Sequence, residues 1–305
     1  MTVRLKISLE IPLDLVEVLE SHFFEMENCP WALQQNKPTD PFCLIGYFKD
    51  RVQSTGYIQS LRMEFPQIPN DFQIESIEPK EWQDAYKSFV KPWSDRSLHW
   101  IPLWAKDTYE APASAQLVYL DAGMAFGTGS HETTQLCASR LLDYVETLSE
   151  IPSNLQIVDA GCGSGVLALS AKALGFSSVR GFDNDPDAIK VCKENLDYNP
   201  HIKTTPFSID DLNTGLPEGT IDFLMVNIQT DVLIPFSSQI IKSLRPNAVL
   251  VLSGILESEL SLLQHHYENA FHEIIPNSSV TIDSRRKGEW SDLMVEIIAC
   301  DANKM

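Results

Sequence analysis

The sequence has no long apolar run. Its most nearly apolar stretch, Ala248 to Leu256, is about nine residues long and already contains Ser253 and Gly254. A membrane-spanning helix needs about twenty, so none is expected. The first residues, Met1 to Ile11, alternate charged and apolar side chains and lack the apolar core of a signal peptide, so a cytoplasmic protein is expected. Cysteine is scarce. The six cysteines (29, 43, 137, 162, 192 and 300) form no C-x-x-C pair and are widely and irregularly spaced. Reduced structural thiols are expected, with no disulfide frame and no metal site. Basic residues are outnumbered, 23 Lys and Arg against 42 Asp and Glu, for a net charge of −19. That sign opposes general nucleic-acid binding and suits a basic partner approached by electrostatic steering. Repeats and low-complexity tracts are absent. With 44% hydrophobic and 21% charged residues, the composition excludes a disordered or collagen-like chain.

What is present fits two domains in 305 residues. Residues 1–75 read as a small α+β unit. Val3 to Leu9 alternates like a half-buried strand, Leu13 to Met26 has helical spacing, and Phe42–Phe48 and Phe72–Ile77 are strand-like. Residues 76–120 read as a linker. It contains a helical face at Trp82, Ala85, Tyr86 and Phe89, then Pro92, Pro102 and Pro112 with Trp93, Trp100 and Trp104, expected to pack between the domains. From residue 121 helices and strands alternate. A helix over Glu132–Thr147 precedes strands at 155–159, 178–183, 204–209, 221–226 and 248–252. Helices are expected at 166–174, 186–196, 232–244 and 257–270, with two final strands near 273–282 and 292–298. This order implies an α/β, Rossmann-like domain over 121–305 with a mostly parallel sheet covered on both faces. Ligands of such sheets bind at the carboxyl ends of the strands.

The motifs converge on those ends. Asp159-Ala160-Gly161-Cys162-Gly163-Ser164-Gly165 follows a strand and opens a helix. Val166 stands where a dinucleotide fingerprint would need glycine, so the turn is G-x-G-x-G and departs from the phosphate-binding pattern. Asp183 ends the next strand, 22 residues after Gly161, where an acidic side chain accepts hydrogen bonds from both ribose hydroxyls of a nucleoside. Asp210-Asp211 follows the third strand, where an adenine amino group would lie. Asn227 ends the fourth strand and carries a carboxamide into the same crevice; a helix cap is its plainer alternative. The segment Gly123 to Thr134 is a glycine-rich loop running into a helix, whose free N–H groups suit a carboxylate. Thr134 adds a hydroxyl. His131 reads as a cap or packing residue rather than a base.

Together these residues resemble one family. Met124-Ala125-Phe126-Gly127-Thr128-Gly129 with His131 and Thr133-Thr134, the glycine turn 159–165, Asp183-Asn184-Asp185-Pro186, Asn227-Ile228 and Gly288-Glu289-Trp290 look like the ribosomal protein L-eleven methyltransferase family (PrmA type). The resemblance covers roughly residues 79–298, and the Phe-Gly-Thr-Gly segment is its specific part. It implies a class I methyltransferase using S-adenosyl-L-methionine, held at Phe126, Thr134, Gly161, Gly163, Asp183, Asp211 and Asn227, with Asn227 also catalytic. It implies transfer to lysine or terminal amino nitrogens of a basic ribosomal protein, with residues 1–75 as the substrate-recognition domain. A monomer is expected, without nucleic-acid or membrane contact. Ala122 stands where the family usually has proline. Gln229-Thr230-Asp231 replaces its usual small or apolar residues at the substrate mouth.

Overall fold

The computed structural model describes residues 4–25, 30–35, 41–48, 50–77, 91–121 and 131–299. The chain divides into two compact units, Met1–Phe89 and Val90–Met305.

The first unit contains β1 (Arg4–Ile11), α1 (Val16–Glu25), β2 (Trp31–Gln34), β3 (Phe42–Phe48), α2 (Arg51–Glu64) and β4 (Gln73–Ile77). The strands form an antiparallel sheet in the order β2-β3-β1-β4. Alternation in β1 places Leu5, Ile7, Leu9 and Ile11 on one face, and the register sets Leu9 opposite Leu44 and Leu5 opposite Phe48. That face packs on Leu15, Leu19 and Leu61. Helix α2 has little signal in the sequence. It buries only Ser54 and Leu61, so its apolar stripe is too thin to register as a period. Its start is secured by Asp50, whose carboxylate accepts the Gln53 N–H at 2.8 Å.

The second unit opens with β5 (Trp93–Asp95), β6 (Leu98–Pro102) and β7 (Gln116–Leu120) in a three-stranded sheet. Residues 93–120, expected within a linker, are therefore part of the larger unit. Trp93 and Trp100 stack at 4.2 Å, and Trp100 is 2% exposed among the apolar residues of this unit's core. Both pack with apolar residues of this larger unit. The helix expected over 79–89 lies outside the described residues.

Next come α3 (Glu132–Thr147), β8 (Gln156–Ala160), α4 (Val166–Ala173), β9 (Ser178–Asp183), α5 (Pro186–Asp197), β10 (Phe207–Ile209) and β11 (Ile221–Asn227). The chain continues through α6 (Thr230–Leu233), α7 (Ser237–Ser243), β12 (Leu244–Leu256), α8 (Glu257–Ile274), β13 (Ser278–Lys287) and β14 (Trp290–Ala299). The seven strands lie in the order β10-β9-β8-β11-β12-β14-β13. The first five run parallel, and β14 is antiparallel between β12 and β13. Near-continuous apolar runs such as Val249–Leu252 are buried because both faces are covered. One face packs Leu233, Ile240, Leu263, Tyr267 and Phe271; the other packs Leu141, Leu167, Leu169 and Val118.

The helix expected over 232–244 is two short helices. Pro235 separates them, because it lacks an N–H and its ring crowds the carbonyl one turn back. The strand expected at 204–209 pairs only over 207–209. Among the described residues no helix is long and apolar enough to cross a membrane.

Candidate functional site

The parallel sheet reverses direction of travel at β8. From there the chain builds outward to β9 and β10, then returns to lay β11 on the other side. A crevice opens at the carboxyl ends of these four strands, as it must at such a switch point. Here it is a cavity of about 450 Å³ lined by Gly161, Gly163, Asp183, Asp210, Asp211 and Asn227 among polar and small residues. Leu212, Ile228, Val232 and Phe236 line its apolar side.

The glycine turn follows β8. Gly161, Gly163 and Gly165 all have positive φ, at 69°, 52° and 78°. Two of them are also sterically committed. A Cβ on Gly161 would lie 2.7 Å from Ile228 Cγ2, and one on Gly165 would lie 2.9 Å from the Phe207 ring. Asp159, at the end of β8, is 1% exposed, and its Oδ2 accepts the Ala168 N–H at 3.0 Å, tying strand to helix. Burial pushes the Asp159 pKa up to about 7, against the pull of that N–H.

Asp183 ends β9 and lines the cavity. Its Oδ2 accepts the Gly163 N–H at 2.9 Å and its Oδ1 accepts the Asp185 N–H at 3.0 Å. The carboxylate thus fixes the glycine turn while keeping lone pairs for a ligand. Asp211 lies just past β10, and its Oδ1 accepts the backbone N–H groups of Asn213 and Thr214 at 2.8 and 3.0 Å. The Thr214 and Asn213 amides hold its carboxyl below the usual range.

Among the described residues five buried side-chain polar atoms lack a hydrogen-bond partner, and two of them, Asn227 Oδ1 and Thr134 Oγ1, belong to residues that the sequence points to. Buried side-chain oxygens are rarely left without a hydrogen bond, and of these two residues Asn227 lines the cavity, where a ligand's donor can meet its oxygen. Asn227 lines the cavity at the end of β11 and is not the cap of the following helix, whose N-cap is Gln229 and makes no side-chain cap bond. Thr134 sits in the first turn of α3 and is 1% exposed. His131 caps that helix. Its Nδ1 accepts the Thr133 N–H, and its ring meets Trp290 edge-on at 5.2 Å. Phe126 lies outside the described residues.

The structure therefore brings Gly161, Gly163, Asp183, Asp211 and Asn227 to one cavity. Sequence reasoning did not single out Leu212, Val232 or Phe236. Val232 and Phe236, four residues apart after Asn227, carried a faint helical signal that Pro235 interrupts. A glycine cradle, a carboxylate beside it, a buried free amide oxygen and an apolar wall form a donor set that fits an adenosyl group bearing an amino-acid tail.

A family model described as Ribosomal protein L11 methyltransferase (PrmA) matches residues 13–295. The chain belongs to that family. A curated relative from Hydrogenovibrio crunogenus, a ribosomal protein L11 methyltransferase, is 34% identical over 82% of this chain and 79% of its own. One from Listeria welshimeri is 27% identical over 93% of this chain and 88% of its own. The solved structure of the ribosomal protein L11 methylase of Lactobacillus delbrueckii subsp. bulgaricus superposes with a TM-score of 0.55 at 28% identity. It covers 66% of this chain and 95% of that chain. The larger unit is thus a class I methyltransferase fold, and S-adenosylmethionine is the cofactor that membership brings.

Proposed function

We propose that this chain methylates a basic ribosomal protein, the counterpart of L11, on amino nitrogens of lysine side chains or of its terminus. The observation that carries the chemistry is the unpartnered Oδ1 of Asn227, buried at the mouth of a cavity that also holds Asp183 and the glycine turn. S-adenosylmethionine, when bound, supplies an electrophilic methyl group on a sulfonium. The protein's part is to bind, orient and keep water out. Asp183 and Thr134 are the acceptor and hydroxyl for the cofactor, and the turn at 161–165 is its cradle.

Asn227 orients the attacking amine. Its side-chain oxygen accepts an N–H and so aims the nitrogen lone pair along one line. Positioning of this kind supplies about 7–11 kcal/mol of barrier reduction when alignment is good. A lysine amine must first be neutral, which costs about 4.6 kcal/mol at pH 7 in water for a pKa near 10.4. The apolar wall of Ile228, Val232 and Phe236 lowers that cost by disfavouring the ammonium. The first unit presents the substrate, and the net charge of −19 speeds encounter with a cationic protein.

The test is incubation of the purified chain with labelled S-adenosylmethionine and purified L11 of the same organism, followed by peptide mass mapping. Methyl groups on lysine or terminal nitrogen are expected. Label on a small molecule, on another protein only, or on carboxyl or imidazole groups would overturn the reading.

A further inference from the structure

The glycine turn is gripped from a second side, by α5. Cys192 and Asn195 on that helix, and Asn199 just past its end, are each 0% exposed. The Cys192 thiol donates to the Gly163 carbonyl at 3.1 Å. Asn195 does two things at once. Its Nδ2 donates to the Ser164 carbonyl at 2.9 Å, and its Oδ1 accepts the Asp121 N–H at 2.9 Å. One partner is an acceptor and the other a donor, so only this orientation of the carboxamide satisfies both.

The Ser164 carbonyl lies at the start of α4 and takes its bond from Asn195. In a regular helix it would receive the Ala168 N–H, but that N–H goes to Asp159. The left-handed residues Gly163 and Gly165 on either side keep Ser164 out of the ladder. Asp121 closes the run after β7 and leads directly into the glycine-rich segment 122–130 in sequence.

We propose that Asn195 is a positioning residue for cofactor binding: its carboxamide couples the glycine turn after β8 to the chain at Asp121, so the two segments are set together before the cofactor arrives. The inference rests on the cofactor reading of the cavity. Asn199 supplies the internal control. It holds Tyr119 through both the backbone N–H and the carbonyl, at 2.8 and 2.7 Å, and also donates to the Asn195 carbonyl at 2.7 Å. None of its hydrogen bonds among the described residues reaches the turn.

The experiment compares Asn195→Asp with Asn199→Asp in the full chain. Asn195→Asp keeps the acceptor for Asp121 and turns an oxygen toward the Ser164 carbonyl in place of the donor. Calorimetric titration with S-adenosylhomocysteine should show affinity about tenfold weaker or more. The KM for S-adenosylmethionine should rise with kcat within about twofold, since the loss is of uniform binding. Asn199→Asp should lower the melting temperature and leave the affinity within about twofold of wild type. Asn195→Ser, smaller and neutral, carries the same comparison if the aspartate variant does not fold. Wild-type affinity in both Asn195 variants would overturn the inference. So would losses of affinity that merely track melting temperature across all variants. A wild-type chain that binds no S-adenosylhomocysteine would instead sink the cofactor reading, and this inference with it.

Discussion

Arg140 and Asp292 form a fully buried two-pronged ion pair. Nε meets Oδ2 at 2.8 Å and Nη2 meets Oδ1 at 2.7 Å, with neither side chain exposed to solvent. Nη1 reaches Asp283 as well, at 2.5 Å. The pair joins α3, which carries Thr134 in its first turn, to the hairpin of β13 and β14. Arg140→Met should leave the Asp292 carboxylate buried without its countercharge, a loss of about 3–5 kcal/mol. Denaturant unfolding at neutral pH measures it. A change below about 1 kcal/mol would mean that water or a neighbour compensates.

Asp183→Ala should cripple cofactor binding in a folded protein. The carboxylate's charge-assisted hydrogen bonds are worth about 1.5–3 kcal/mol, or roughly ten- to hundred-fold in affinity. Freeing the Gly163 N–H adds to the loss, because the turn slackens. Calorimetric titration with S-adenosylhomocysteine decides it, and unchanged affinity would remove Asp183 from the site.

Asn227→Ala should reduce turnover more than it weakens the cofactor. The side-chain oxygen has no hydrogen-bond partner among the described residues, so its removal breaks no bond among them. The expected signature is a fall in kcat of about a hundredfold with cofactor affinity changed little. Full turnover on the ribosomal protein would leave Asn227 as lining only.

Asp159 should make the ligand-free fold less stable as pH rises. Its folded pKa, raised by burial to about 7, lies above its value of 3.8 in a solvated chain. The folded state therefore holds the proton more tightly. The contribution is fully present below about pH 4 and is lost as pH climbs through 7, by as much as about 4 kcal/mol across that window. Asp159→Asn should remove this slope, so the variant gains on wild type between pH 5 and 8. Parallel stability curves for the two proteins over that range would show that Asp159 stays charged in the fold.

The α/β character of the larger unit was legible in the sequence. Strands such as Ser178–Asp183 and helices such as Glu132–Thr147 have strong local periods, clear caps and glycine punctuation, which act over a few residues. Asp183 and the turn at 161–165 could be placed for the same reason: they sit at strand ends, where a parallel sheet always opens its crevice. Membership in the family was likewise carried by short segments.

Other features depended on partners far away in sequence. Trp93, Trp100 and their strands read as a linker because nothing local reveals that Trp100 Nε1 donates to Ser170 Oγ, 70 residues on, at 2.8 Å. Asn195 looked like any polar helix residue until the fold brought Asp121 and Ser164 to its two ends. Arg140 and Asp292, 152 residues apart, have no sequence signal at all. Local chemistry determines which segments turn, pair and coil. The choice of which buried polar group satisfies which other is made only when the layers close and water is excluded, because only then does an unpaired group carry its full cost.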